Sequence, residues 1–502
     1  MLNSPTDGAT LTSITEPLRT GDATESLLPL APEKPNRFRA GTLIYTRPGL
    51  IALFLWLLWG DFVFILMESV VPSIVPLKLH RLGASDWILA LIVVTVPRAM
   101  DFIVNPIVSY MSDRTRTRFG RRRPYLIAAT PLVAITLVMM GYSPEITRMA
   151  QRLIASPAHA TAIAIGVIGV LMILFQIVNM FINSIYYYYF NDVVPSGFLS
   201  RFMALFRVVA TLAGAAYAYF IYGKAETHSR AIFLWTAVAY FLVFSSMCLV
   251  VKEGKYPPPA NTIDGKRNLW SGIKTFLAEC FSVRIYWYFF LANTCWALAM
   301  GCMSAFSPFY AASNGVSLSQ LGKMGAVTNI LTAAALYPAG AFADRYHPLN
   351  ANFWGAIIMV CVIPFQFVFL YHGLSQSMAP RLFFVILGAV SVLQAVYAAS
   401  ELPMYMKILP RDRYGQFCSA NSMFRAVAMM VGAPAAGLFL DSMRRFDRGP
   451  NDHYRYASVW SLSFMVGCVC FLFLLRREWS RRGGKGAYTP PAPLAGKANH
   501  FT

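Results

Sequence analysis

The chain has 502 residues, 57% of them hydrophobic and 13% charged, with a mean hydropathy of +0.51 and a formal net charge of +20. Ordinary soluble domains carry about 25% charged residues, so this composition excludes a soluble multidomain enzyme, a disordered chain and a secreted disulfide scaffold. An integral membrane protein remains, and the basic excess has to be located along the chain before it is read as a nucleic-acid footprint.

A bilayer core about 30 Å thick takes roughly 20 apolar residues per helix. Twelve such stretches occur, near 49–77, 86–110, 124–142, 161–190, 202–223, 231–251, 285–312, 321–343, 351–372, 381–406, 416–440 and 456–475. They are too long for strands and lack the ten-residue alternation of an outer-membrane barrel. The expected fold is therefore an all-α polytopic membrane protein with twelve transmembrane helices. Residues 1–48, rich in Pro, Thr and Glu without a signal-peptide core, read as an N-terminal tail. A six-helix bundle over 49–251 follows, then a linker over 252–284 with Pro257, Pro258 and Pro259, a second bundle over 285–475, and a C-terminal tail over 476–502.

Ionisable side chains inside a bilayer are costly unless paired or hydrated, so they mark a pathway by default. The first helix carries Asp61 and Glu68, seven apart and on one face. The second carries Arg98 and Asp101, three apart and able to pair. After it comes Asp113-Arg114, then Gly120 and Arg121-Arg122-Arg123, a basic loop dense enough to lock neighbouring helix ends by ion pairs, or simply to anchor beside anionic lipid. On the fourth helix Gln176, Asn179 and Asn183 line one face, while Tyr186 to Tyr189 read as an interfacial belt. Arg207 lies in the fifth helix, Glu401 in the tenth and Arg425 in the eleventh. Trp56 and Trp59 on the first helix and Trp296 on the seventh are candidate apolar platforms for a sugar ring. The eight cysteines lie almost all within or beside apolar stretches, with no C-x-x-C pair, and read as packing residues with no metal site or disulfide.

Twenty-eight of the 43 Lys and Arg fall in the tails and in alternate loops on one side, against eleven on the other. The excess predicts both termini in the cytoplasm of a cell inner or plasma membrane. It accounts for the charge through orientation and anionic lipid, with no nucleic acid. One loop runs against the rule: 441–455 carries Arg444, Arg445, Arg448 and Arg455 on the outer side. The halves also repeat. Ser112-Asp113-Arg114 after the second helix is matched by Ala343-Asp344-Arg345 after the eighth. Val194-Pro195 with Phe202 is matched by Leu409-Pro410 with Phe417, and Phe206-Arg207 by Phe424-Arg425. Two similar six-helix bundles facing each other is the economical reading.

The run from Arg98 through Asp101, Asn105 and Pro106 to Asp113-Arg114, Gly120 and Arg121-Arg122-Arg123-Pro124 resembles the glycoside–pentoside–hexuronide:cation symporters. These are the melibiose-permease-like branch of the major facilitator superfamily, and the Arg-Arg-Arg-Pro ending also resembles plant and animal sucrose transporters. The resemblance implies the major facilitator fold and a secondary transporter of a sugar or glycoside. Under it, Arg98 and Asp101 match the second-helix Arg and first coupling Asp, and Asp61 resembles the sugar-binding carboxylate of the first helix. Arg425 and Arg207 fall near two cavity cations. Asn105 stands where sodium-using members have a second Asp, and the fourth helix carries amides but no acid.

Sodium needs several hard oxygens, whereas a proton needs one carboxylate, which Asp61, Glu68 or Asp101 supplies. The expectation is a small sugar or glycoside as substrate, a proton in preference to sodium as coupling ion, membrane lipid as the surrounding partner, and no cofactor. Asp61, Glu68, Asp101 and Arg98 are the coupling candidates. Asp61, Trp59, Gln176, Asn179, Asn183, Arg207, Trp296 and Arg425 are the substrate candidates. Asp113, Arg114, Gly120, Arg121, Arg122, Arg123, Asp344 and Arg345 are the gating-latch candidates. Efflux of an amphipathic compound, a fluxless sensor and a membrane enzyme are the alternatives. The sequence lacks H-E-x-x-H and the Gly-Lys-Ser/Thr phosphate loop that metal- or nucleotide-driven chemistry would use.

Overall fold

The computed structural model describes residues 38–115, 117–154, 159–254, 279–371, 375, 377–410, 413–447 and 451–491. The side chains of Asn105, Asp113 and Arg114, and all of Arg116, lie outside the described residues, as do most of the expected tails and linker.

Twelve helices are long and apolar enough to cross a membrane. In chain order they are α1 Arg47–Arg81, α2 Asp86–Val104, α3 Arg123–Gly141, α4 Ala160–Phe190, α5 Leu205–Lys224, α6 Ser229–Val250, α7 Arg284–Ser313, α8 Leu318–Tyr346, α9 Pro348–Leu370, α10 Met378–Ile408, α11 Tyr414–Phe446 and α12 Asp452–Arg481. Every apolar stretch read from the sequence is one of them.

Local chemistry sets the helix ends. Thr46 caps α1 by accepting the Gly49 N–H at 3.3 Å, with Arg47-Pro48 in the first turn, where a missing N–H costs nothing. Ser317 and Gln320 form a reciprocal capping box at the start of α8. Prolines within α1, α3, α8, α10 and α11 are tolerated because neighbouring helices and Ser/Thr side chains satisfy the freed carbonyls. In α11, for example, Pro434 frees the Met430 carbonyl, which accepts from Thr95 of α2 at 2.9 Å.

Packing repeats with a shift of six helices. α1 packs on α6 and α5, as α7 does on α12 and α11. α3 packs on α4 and α6, as α9 does on α10 and α12, and α2 meets α4 as α8 meets α10. The halves join through α2 against α11 and α5 against α8. Both junctions need small residues. A Cβ on Gly437 of α11 would stand 2.5 Å from the Asp86 carbonyl, and one on Gly322 of α8 would stand 2.3 Å from the Ala218 carbonyl.

Three details differ from the sequence reading. Part of the expected N-terminal tail is a two-stranded hairpin, Phe38–Ala40 paired with Leu43–Tyr45 around Gly41, held against Phe198 by a 4.8 Å ring contact. The expected C-terminal tail begins as helix: α12 runs to Arg481, six residues past the apolar window, because a helix outlasts the bilayer wherever its charged last turn is hydrated. Half of the tyrosine belt is core instead, while Tyr187 stays exposed. Tyr186 and Tyr189 are fully buried, donating to the Leu57 carbonyl at 2.9 Å and the Val251 carbonyl at 2.7 Å. A buried hydroxyl with an acceptor is as comfortable as one at the interface, so composition alone does not separate the two.

Candidate functional site

Two polar clusters occupy the helices of the two halves. In the first half, Asp61 of α1 is fully buried and neither carboxylate oxygen has a hydrogen-bond partner among the described residues. Glu68, two turns on, accepts from Asn183 at 3.3 Å and, more weakly, from Asn179 at 3.5 Å. The Gln176 and Asn179 carbonyl oxygens are buried and unpartnered among the described residues. Both Glu68 and the exposed Arg207 act on Asp61 through space. Arg98 and Asp101 pair at 3.0 Å, the guanidinium half-exposed. Trp59 is exposed, stacks on Phe62 and lies on the side of α1 away from Asp61 and Glu68, so it stands apart from this cluster.

The second cluster is built on α10. Glu401 Oε1 accepts from the Tyr405 hydroxyl at 2.6 Å, from Arg425 at 2.9 Å and from Tyr397 at 3.4 Å. Tyr397 also reaches Asn293 Oδ1 at 3.0 Å, and Asn421 donates to Tyr405 at 3.0 Å. The Trp296 ring lies flat on Tyr397, centroids 3.8 Å apart and 5° from parallel. The sequence reading named Arg425 and Trp296 but left Glu401, Tyr397, Tyr405, Asn293 and Asn421 out of the candidate site. The spacing of Tyr397, Glu401 and Tyr405 was the available signal, since steps of four place all three on one helix face.

The basic loop is a brace within the first half. Arg121 grips Asp192 through two nitrogens, and Arg122 reaches the same carboxylate at 3.1 Å. Arg123 donates to the Cys248 and Leu249 carbonyls, each at 2.6 Å. The backbone N–H groups of Arg122 and Arg123 cap onto Glu253 at 2.9 and 3.1 Å. Burial pushes the Glu253 carboxyl up, opposed by these N–H donors. The start of α3 is thus tied to the ends of α4 and α6, all in one bundle. Asp344 and Arg345 end α8 exposed; Lys485 donates to the Arg345 carbonyl at 2.9 Å, and Asp344 has no ion-pair partner among the described residues.

Gly120 in that loop has φ +112°, and a Cβ there would sit 2.2 Å from Glu253 Oε2. Gly120→Ala should therefore lower stability by about 2 kcal/mol from backbone strain and the displaced carboxylate. The check is the melting temperature in detergent, with Gly166→Ala, where no atom lies within 4 Å, as the control.

Hydrogen bonds and ion pairs between the halves lie, among the described residues, at the end away from the hairpin and the C-terminal segment. Asp86, at the start of α2 with a fully buried side chain, accepts from Tyr454 at 2.6 Å and pairs with Arg444 and His453, each at 3.2 Å. Asp441 of α11 accepts the Asp86 and Trp87 N–H groups at 3.1 and 3.2 Å. His453 bonds Asp447 at 2.8 Å, Tyr454 reaches His80 at 3.3 Å, and Thr95 donates to the Met430 carbonyl at 2.9 Å. The sequence reading missed this junction, although its signal was the arginine-rich loop that broke the charge rule. Two of those arginines are committed side chains: Arg444 is paired across the junction, and Arg455 binds Asp452 and the Ser313 carbonyl. The molecule is thus bolted at one end, with the other end held by no such bonds among the described residues.

Two pseudo-repeated six-helix bundles, polar clusters buried at mid-helix and a junction confined to one end define a transporter of the major facilitator fold, a multi-pass membrane carrier and not an enzyme. Solved structures share the fold. A bacterial homologue of the human lysosomal transporter Spinster, in an inward-facing and unoccupied conformation, superposes with a TM-score of 0.65 at 14% identity, covering 89% of this chain and 100% of that one. A D-xylose–proton symporter gives 0.59 at 15% identity, covering 84% and 97%. The chain belongs to the MFS/sugar transport protein family, whose profile matches residues 79–476. Local similarity is found to the sucrose transport protein SUT5 of Oryza sativa subsp. indica, 37% identical over 69 residues, and to the general alpha-glucoside permease of Schizosaccharomyces pombe, 41% identical over 44 residues. Those stretches cover 14% and 9% of this chain, and only 13% and 8% of the length of the relatives.

Proposed function

We propose that this protein moves a sugar or glycoside across the plasma membrane by alternating access, coupled to protons, with both termini in the cytoplasm. The observation that carries the coupling is the Asp61 carboxyl: buried, without a hydrogen-bond partner among the described residues, and within electrostatic reach of Glu68 and Arg207. A site of this kind changes charge on taking up one proton, and needs no shell of oxygens as sodium does. The sugar reading rests on family membership, on the local likeness to a sucrose transport protein and an alpha-glucoside permease, and on the inventory of α7, α10 and α11. There a flat Trp296–Tyr397 stack stands beside Asn293, Asn421, Glu401 and Arg425, the mixture of apolar face and polar edge that a sugar ring requires. The likeness of residues 98–124 to glycoside–pentoside–hexuronide:cation symporters supports placement in that branch. The Arg121–Arg123 brace then holds α3, α4 and α6 as one rigid body while the halves rock.

The test is uptake into proteoliposomes of sucrose, maltose, melibiose and xylose under an inward proton gradient or an inward sodium gradient. At least one of these sugars should accumulate roughly tenfold or more over the gradient-free level under the proton gradient alone. Accumulation driven by sodium without a pH difference overturns the coupling. Failure to move any sugar on the panel overturns the substrate class.

A further inference from the structure

We propose that the second half carries, at the end where the chain terminates, a binding site for a phosphate-bearing anion, separate from the polar clusters of the transport path. A cavity of about 560 Å³ opens there, with His347, Lys407, Trp479, Lys485 and Tyr488 in its wall. Its size is that of a small-ligand site. Two ammonium groups and an imidazole line it, and among the described residues no carboxylate does. Two acids of this region are committed elsewhere, Glu279 to Arg413 and Gln416 and Glu478 to Arg482, and the exposed Asp344 at the end of α8 is not part of the wall. Positive charge collected in a concavity without a counterion focuses its field on an incoming anion.

The neutral groups of the cavity also ask for an acceptor. His347 adopts φ +79°, a backbone region that disfavours side chains, and its Nδ1 accepts the Leu349 N–H at 3.3 Å. With Nδ1 accepting, a neutral imidazole carries its proton on Nε2 and is a donor there. Burial together with Lys407 and Lys485 pushes this imidazole down to about 4, so it is neutral at pH 7. Trp479 is only 5% exposed and packs on the His347 ring at 4.6 Å, and its indole N–H has no acceptor among the described residues. A phosphate brings three acceptor oxygens and up to two negative charges, matching two ammonium groups and the imidazole N–H.

The wall is built and not incidental. Gly483 and Gly484 both take positive φ and turn the chain back over the cavity. The segment beyond them is pinned by Tyr488 on the Ile408 carbonyl at 3.0 Å, by Lys485 on the Arg345 carbonyl at 2.9 Å, and by Tyr286 on the Pro491 carbonyl at 2.7 Å. The phosphate could belong to a lipid headgroup at the membrane surface or to a soluble compound, and the chemistry of the site is the same for both.

The experiment measures binding to the full-length protein in detergent, by native mass spectrometry and by equilibrium titration. The probes are short-chain phosphatidylinositol 4-phosphate, its deacylated soluble headgroup, ATP, and phosphatidylglycerol as the phosphodiester control. One probe with a terminal phosphate should bind with one-to-one stoichiometry, and Lys407→Ala/Lys485→Ala should weaken it at least tenfold, while Lys407→Ala alone, which removes no bond of the wall, should weaken it without changing the melting temperature of the free protein. Binding of the lipid without its soluble headgroup supports the site with a membrane source. Binding of the headgroup or ATP supports it with a soluble source. If no probe binds better than phosphatidylglycerol, or the folded double variant binds as the wild type does, the proposal is overturned. Should the double variant fail to fold, Lys407→Ala alone, exposed on α10, is read in the same way.

Discussion

Replacing Asp86 by Ala is expected to open the molecule at its bolted end. The Asp86 side chain is fully buried and is the one carboxylate shared by Arg444, His453 and Tyr454. Removing a buried member of a charged network costs about 3–5 kcal/mol, because its partners lose their interaction and not their burial. The loss is graded here. Arg444 is 45% exposed and keeps Asp441, and His453 keeps Asp447, but Tyr454 is left with only the long contact to His80. The lower end of that range is the reasonable expectation, and about 3 kcal/mol moves a two-state equilibrium by more than a hundredfold. All of these contacts exist only while α2 and α11 are together, so the whole loss falls on the closed state. Spin labels at Arg81 and Arg445, both exposed, report the separation of the halves. A longer-distance population should dominate in Asp86→Ala and be minor in the wild type. Asp441→Asn should give a smaller shift, since the amide oxygen still accepts one of the Asp86 and Trp87 N–H groups that the two carboxylate oxygens accept. An unchanged distance distribution in a folded Asp86→Ala protein would mean that packing alone, around Gly437 and Gly322, holds this end shut.

The sequence made the twelve helices readable because bilayer thickness converts directly into a window of apolar residues, a property of each segment by itself. The repeat between halves was readable for a related reason: Asp113-Arg114 with Asp344-Arg345 and Pro195 with Pro410 mark equivalent loops. Contacts between distant segments were not. Asp86 meets Arg444 across 358 positions, and nothing local to either residue announces the other. The same limit explains the tyrosines of α4 and the fate of Trp59. Aromatic residues suit an interface, a core and a binding platform equally, and only the neighbours decide. Ionisable residues inside helices were the better guide. Asp61, Glu68, Arg98 and Asp101 stood out by cost alone, and Asn183 and Asn179 turn out to donate to Glu68. Arg425 and Glu401 stood out in the same way, and the structure pairs them.

Asp61→Asn is expected to make the protein more stable while abolishing proton-driven accumulation. The substitution keeps the shape of the side chain and removes its capacity for charge. In the structure this carboxyl is fully buried, and both oxygens lack a donor among the described residues. An ionised carboxylate so placed costs several kcal/mol, whereas a neutral amide of the same size costs far less. A protein that retains such a group against its own stability has a use for the charge, and proton uptake is the process that relieves the cost. Melting of the Asp61→Asn protein in detergent should therefore occur several degrees higher than wild type at neutral pH, a rise of about 1–2 kcal/mol at this chain length. The difference should shrink as the pH falls, because a protonated Asp61 is as neutral as the amide. Accumulation under a proton gradient should drop by about a hundredfold or more if, as proposed, Asp61 takes up the coupling proton. Sugar counterflow, which needs no net proton movement, should persist, since Asp61 exposes no surface to a ligand. Destabilisation by Asp61→Asn would show that the carboxylate has structural partners after all. Accumulation at the wild-type level would move the coupling site to Glu68 or Asp101, whose carboxyls already have donors.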